Sequence, residues 1–151
     1  MRISGVIPNS LVAGKGLRYT IFLQGCPHHC EGCHNKHTWS IDGGFNIQVD
    51  EIAKDISIRL KWIDGITLSG GEPYLQEEEC IKLLELLPKD MSVWVYTGYL
   101  YEEIKNRILT QRAEYVVDGK FEPSKKITGR MYGSSNQNII CVKNSKVVVN
   151  V

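Results

Sequence analysis

Apolar and polar positions along the chain follow two alternating periods. The run "YTIFLQG" (Tyr19 to Gly25) is nearly all apolar or β-favouring, the pattern of a strand buried on both faces. "GITLSGGEP" repeats the plan, a short strand stopped by glycines and proline, and "SVWVYTGY" and "AEYVVDGK" repeat it twice more. Helical patterns lie between them. Ile52, Ile56 and Leu60 recur every four residues, with Asp50 placed as an N-cap. Cys80, Leu83, Leu84 and Leu87 form a second apolar stripe ended at Pro88, and Tyr101, Ile104 and Ile108 suggest a third. "NIICVKNSKVVVNV" reads as one or two closing strands. Strands alternating with single helices predict βαβ units and an α/β fold with a mainly parallel sheet of about four to six strands. That is too few for the eight of a closed barrel, which takes roughly 250 residues. An open, partial βα barrel is expected, formed as a single domain over residues 1–151.

In parallel α/β folds ligands gather at the carboxyl ends of the strands. The loops after the four predicted strands would therefore converge on one face. Composition narrows what they meet there. Hydrophobic residues make up 42% and charged residues 23% of the 151, ordinary for a globular protein, and the net charge of +1 gives no general attraction for nucleic acid or an anionic membrane. There is no apolar run of about 20 residues and no signal-like N-terminal stretch, so a cytoplasmic location is expected. Disulfides are disfavoured there, and the count of five cysteines is odd.

Three of those cysteines, Cys26, Cys30 and Cys33, follow the first predicted strand with the spacing C-x₃-C-x₂-C. Three readings compete. Zinc would draw a fourth ligand from His28, His29, His34 or His37, although structural zinc usually takes two separated ligand pairs. An iron–sulfur cluster usually takes four cysteines, so three would leave one iron open to another ligand. A redox dithiol is the third. Each histidine is also an ordinary polar loop residue, and Cys80 and Cys141 sit in apolar stretches where free cysteine serves packing.

"SGGEP" (Ser69 to Pro73) follows the second strand. Its glycines allow positive φ and close approach to the backbone, and Glu72 can accept from a ligand ammonium. Thr97 or Tyr99 can touch a ribose, and Asp118 a cation or a substrate backbone; all three can equally be strand-end polarity. "AGKGLR" has G-x-G but precedes a strand, so it fails as a dinucleotide fingerprint.

The cysteine spacing, with "SGGEP" downstream, resembles the signature of the radical S-adenosylmethionine (SAM) family. The resemblance implies a [4Fe–4S] cluster on Cys26, Cys30 and Cys33, with SAM chelating the remaining iron through its amino and carboxylate groups. It implies SAM-binding positions at Gly32, Cys33, His34, Gly70, Gly71, Glu72, Thr97, Asp118 and Asn136. "GKGLRYTIFLQGCPHHCEGCHNKHTW", "VYTGY", "VVDGKF" and "YGSSNQNII" further resemble the glycyl-radical-enzyme activases, in the order found in the branch acting on anaerobic ribonucleoside-triphosphate reductase. "GSSNQ" (Gly133 to Gln137) discriminates most, and the length leaves no room for auxiliary clusters. Two positions depart from the pattern. Gly32 is aromatic in much of the superfamily, so an aromatic wall for adenine must come from elsewhere. Asn138 stands where the branch often has arginine, for which Arg130 is a possible stand-in.

The implied activity is reductive cleavage of SAM to a 5′-deoxyadenosyl radical, which then takes a hydrogen from a glycine of the reductase. The implied partners are that reductase and a low-potential electron donor such as flavodoxin. Two alternatives remain: a compact radical SAM enzyme acting on a small molecule, of the deazapurine-biosynthesis type, and a zinc-binding interaction module.

Overall fold

The chain opens with a strand that its hydrophobic pattern does not announce. In the computed structural model, which describes residues 1–148, β1 (Arg2–Ser10) pairs antiparallel with β2 (Arg18–Leu23) and with the short β3 (Phe45–Asn46). β1 is half-exposed and interrupted by Gly5 and Pro8, so it shows no apolar run. Helix α1 (Val49–Arg59) then leads to β4 (Gly65–Gly70), α2 (Glu77–Glu85) to β5 (Ser92–Tyr96), and the short α3 (Tyr101–Ile104) and α4 (Ile108–Arg112) to β6 (Tyr115–Asp118). β7 (Asn138–Cys141) and β8 (Lys146–Val147) close the sheet. The rest of the predicted C-terminal run, residues 149–151, lies outside the described residues.

The sheet has eight strands in the order β3-β1-β2-β4-β5-β6-β7-β8. The expected parallel strands form its centre: β2, β4, β5 and β6 pair in parallel. The expectation of four to six mainly parallel strands is corrected at both edges, where β1, β3, β7 and β8 pair antiparallel. Those edges need no crossover helix, so the βα rhythm of the sequence does not reveal them.

Alternation along the central strands sorts two faces. Tyr19, Ile21, Leu23, Ile66, Leu68, Val93, Val95 and Val116 join the main core with Ile52, Ile56, Leu83, Leu84, Ile104 and Leu109 of the helices. Burying each such aliphatic side chain contributes about 1.5–3 kcal/mol. Trp94, Val117 and Ile139 form a smaller cluster with Tyr96, Met131 and Tyr132. Cys80 is fully buried, as expected for packing, whereas Cys141 is only half-buried.

The helices depart from expectation in two places. Gln48, not Asp50, is the N-cap of α1; Asp50 sits in the first turn, where the helix dipole favours an acid, and Leu60 is exposed at the C-cap. The third predicted helix is broken. Leu109 N donates to Glu77 Oε1 at 3.1 Å and Arg107 Nε to Glu77 Oε2 at 2.8 Å, so a carboxylate of α2 captures a new helix start and leaves Ile108 exposed.

Candidate cofactor site

The carboxyl ends of β2, β4, β5 and β6 lie side by side. After β2, Gly25 N donates to Thr38 O at 2.7 Å and Cys26 N to Trp39 O at 3.0 Å. The buried Gln24 carboxamide donates to His37 O at 3.0 Å and Ser40 O at 2.7 Å. The cysteine segment is thus a loop pinned at its neck. Inside it Cys33 N donates to Cys30 O at 3.1 Å, and Asn35 N donates to Cys33 Sγ at 3.4 Å. A donor on sulfur favours the thiolate a metal needs.

Cys26, Cys30 and Cys33 carry free, half-buried thiols. Burial pushes the Cys26 thiol above its ordinary value, so metal binding there must release a proton. All three line one cavity of about 150 Å³ with Gly70 and Gly71 of the β4 loop, Thr97 and Gly98 of the β5 loop, and Gly119, Lys120 and Phe121 of the β6 loop. Among the described residues no three His, Cys, Asp or Glu side chains gather tightly enough for one metal ion. Zinc draws its thiolates to about 2.3 Å from a single point, whereas a cubane cluster spreads three thiolates over three irons. Three thiolates on one short loop are the donor set that a cluster with one iron left open would take.

The glycines of "SGGEP" serve the chain's own packing as well as the cavity. Gly70 has φ 91°, and a Cβ there would stand 2.6 Å from Leu23 N. A Cβ on Gly71 would strike Gly25 O. The β2–β4 ladder continues past the strands through Gly71 N–Leu23 O and Glu72 N–Gly25 O, both 2.8 Å. Glu72 is fully buried and its carboxylate turns into the protein. Its Oε2 accepts from Gly98 N at 2.9 Å and lies 2.7 Å from His28 Nε2. Thr97 Oγ1 lies 2.9 Å from both oxygens, and Tyr74 N donates to Oε1 at 3.2 Å.

The other candidate positions divide. Asp118 is buried and occupied: Oδ2 accepts from Tyr101 N at 2.8 Å at the start of α3, and Oδ1 accepts from Asn138 N and Nδ2, both at 3.2 Å. Asn138 is thereby committed to Asp118. Asn136 Nδ2 donates to Lys120 O at 2.8 Å, while its buried Oδ1 has no partner and the residue stands beside Gly119. Gly32 has φ 72°, and a Cβ there would lie 3.2 Å from both the Phe121 ring and Pro123. His34 meets Phe121 edge-on, with ring centres 5.5 Å apart, and His29 stacks on Trp39 at 4.7 Å.

His34 lines a second cavity, of about 500 Å³, which runs outward past Val12, Arg130 and Met131. The two cavities share Cys33, Asn35, Ser69, Tyr96, Phe121 and Gln137 as walls. Burial holds the Tyr96 phenol protonated well above its ordinary range, and its hydroxyl donates to Met131 O at 2.7 Å. Sequence reasoning missed Ser69, Tyr96, Lys120 and Phe121. Strand alternation carried the signal for the first two, since Thr67 and Ser69, like Trp94 and Tyr96, face away from the helices. Lys120 and Phe121 directly follow Asp118 and Gly119, already singled out.

Residues 12–140 match the family described as a 4Fe-4S single cluster domain. The chain is 36% identical over 150 residues to a protein of Enterobacteria phage T4, covering 92% of this chain and 93% of that one. It is 34% identical over 142 residues to a protein of Escherichia coli K12, covering 86% and 92% respectively. A protein of Pasteurella multocida is 34% identical over 147 residues, covering 86% and 90%. All three are named anaerobic ribonucleoside-triphosphate reductase-activating protein. The chain belongs to this family of activating proteins. The family match runs from the cavity rim at Val12 to Ile140 in β7, so it spans all four loops of the site. An iron–sulfur cofactor is what the matched domain carries. Among the described residues no helix is long and apolar enough to cross a membrane.

Proposed function

We propose that the protein activates an anaerobic ribonucleoside-triphosphate reductase by generating a glycyl radical on it. It would do so with a [4Fe–4S] cluster on Cys26, Cys30 and Cys33 and with SAM at the remaining iron. The observation that carries this reading is the convergence of three free thiols with the β4, β5 and β6 loops on one cavity. When bound, the cluster and SAM together supply one-electron cleavage of a carbon–sulfur bond and removal of a hydrogen from a partner glycine.

The chain's residues bind, orient and shield. Gly70 and Gly71 offer backbone to the SAM ammonium, and Lys120 offers a cation to its carboxylate. Asn136 Oδ1, buried without a partner, is an acceptor suited to a ribose hydroxyl. The Phe121 ring lies where a side chain on Gly32 would have stood, and it provides the flat wall for adenine that Gly32 cannot. The larger cavity, rimmed by the exposed Val12, gives a glycine-bearing segment of the partner a way to Cys33 and its neighbours. Delivery to contact distance governs such a transfer. We read the sheet as the open barrel of the radical SAM type, one domain with helices outside and both cavities on the other face. Its electron would come from a low-potential donor such as flavodoxin in the cytoplasm, with no role for nucleic acid or membrane.

The test mixes reconstituted protein, SAM, a strong one-electron reductant and the cognate reductase without air. An electron paramagnetic resonance doublet on the reductase is expected, with deuterium from its labelled target glycine appearing in 5′-deoxyadenosine. Turnover of a small molecule without a partner, and no radical on the reductase, would overturn the reading in favour of the small-molecule alternative.

A further inference from the structure

The cysteine loop is irregular backbone, yet it must hold three thiols in a fixed triangle. His28 stands midway between Cys26 and Cys30, and its side chain is only 8% exposed. Its Nε2 lies 2.7 Å from Glu72 Oε2. Its ring meets Tyr99 edge-on at 4.7 Å and fills space that Gly98 leaves free, since a Cβ on Gly98 would strike the ring. Glu72 is held from the other side by Thr97, Gly98 and Tyr74. The histidine of the cysteine loop is thereby tied to the carboxyl ends of β4 and β5.

We propose that Glu72 and His28 form a latch that fixes the cysteine loop on the sheet, so that Glu72 positions the three cysteines and does not itself bind SAM. The proposal rests on the cluster reading above. A carboxylate has about four acceptor sites. Here Tyr74 N and Thr97 Oγ1 occupy Oε1, while Gly98 N and His28 Nε2 occupy Oε2. No acceptor site remains for a ligand ammonium, and Glu72 does not line the cavity. Glu72 and His28 are thus outer partners of the metal ligands, acting through the loop that carries them.

The test uses Glu72→Gln, His28→Ala and the double variant of the full chain, reconstituted anaerobically with iron and sulfide. Glu72→Gln replaces one of the two acceptor oxygens with a donor, which must face a backbone N–H, that of Tyr74 or that of Gly98 beside His28, in either orientation; His28→Ala leaves the remaining Glu72 bonds intact. Disturbing the outer partners of a metal site typically costs about 10- to 100-fold in metal affinity. Each single variant should therefore release iron to a chelator about 10- to 100-fold faster and change the reduced cluster's paramagnetic resonance without SAM. The double variant should be no worse than the worse single one, because both break one link. Wild-type iron release and spectrum in His28→Ala would overturn the latch. So would Glu72→Gln weakening SAM binding by calorimetry with an unaltered cluster while His28→Ala does not. A wild-type protein that takes up no cluster overturns the functional reading and the latch together; a loaded wild type with indifferent variants overturns the latch alone.

Discussion

Two buried ionisable side chains stand at opposite ends of the parallel strands. Arg18, 1% exposed, sits at the amino ends; Glu72, 0% exposed, sits at the carboxyl ends. Arg18 donates to Ile66 O at 2.6 Å, Ser92 O at 2.9 Å and Thr67 Oγ1 at 2.8 Å, and its guanidinium lies 5.7 Å from the centre of the Trp94 ring. Burial lowers its pKa to about 10, still a cation at neutral pH. Arg18 itself is fully engaged, although the Oγ1 of Thr20, paired in register with Thr67, is buried without a partner. Around Glu72 it leaves three free thiols and the unpartnered Asn136 Oδ1. The two ends share one kind of internal bracing, and the three free thiols set the Glu72 end apart. Volume alone misleads: a cavity of about 540 Å³ lies at the amino ends of the strands beside Ile63, Pro88 and Glu114, with no thiol in its walls.

The comparison breaks most sharply at the thiols. Cys26→Ala, Cys30→Ala or Cys33→Ala should abolish stable uptake of iron and sulfide, while Cys80→Ala and Cys141→Ala retain it. Iron and sulfide analysis after anaerobic reconstitution checks this, and loss in Cys80→Ala with retention in Cys26→Ala would contradict it. The next largest effect lies at the opposite end. Arg18→Met removes the donor from two buried acceptors, Thr67 Oγ1 and Ile66 O, and from the half-buried Ser92 O. A buried acceptor left unsatisfied costs about 1–3 kcal/mol, so unfolding free energy in urea should fall by about 1–3 kcal/mol. The spectrum of the loaded cluster should not change; if it does, the two ends are not separate.

An effect of similar size tests the adenine wall. Stacking a base on an aromatic ring is worth about 1–3 kcal/mol, so Phe121→Ala should weaken SAM binding about 5- to 150-fold with the cluster intact. Unchanged affinity by calorimetry removes Phe121 from the site. The smallest effect concerns Cys80, whose thiol burial raises from 9.0 to about 12. At pH 8 a thiol reagent should label Cys26, Cys30 and Cys33 in cluster-free protein and spare Cys80. The unfolded chain ionises Cys80 near pH 9.0 while the folded one keeps the proton. This residue therefore lowers stability only as pH climbs from 9.0 towards 12, and adds no pH dependence below that window. Labelling of Cys80 as fast as Cys33 would contradict its burial.

The central strands were legible because a strand buried on both faces writes an apolar run, and Gly70 and Gly119 punctuate two of them. β1 was hidden because an exposed strand with Gly5 and Pro8 has no such run. The break before α4 was hidden because Glu77, a residue of another helix, decides it. The site followed the same logic. Spacing along the chain identified the cysteines and "SGGEP". The inward turn of Glu72 depends on His28, Thr97 and Gly98, and the Phe121 ring over Gly32 depends on a loop that returns across the sheet. Contacts of that kind leave no local period to read.

The central claim is that the three thiols hold a cluster whose remaining iron is completed by SAM. Electron–nuclear double resonance of the reduced, loaded protein with SAM labelled by ¹⁵N at its amino group tests it directly. The account predicts a hyperfine coupling between that nitrogen and the cluster, lost when SAM is withheld. A loaded cluster that shows no coupling at saturating SAM would contradict it.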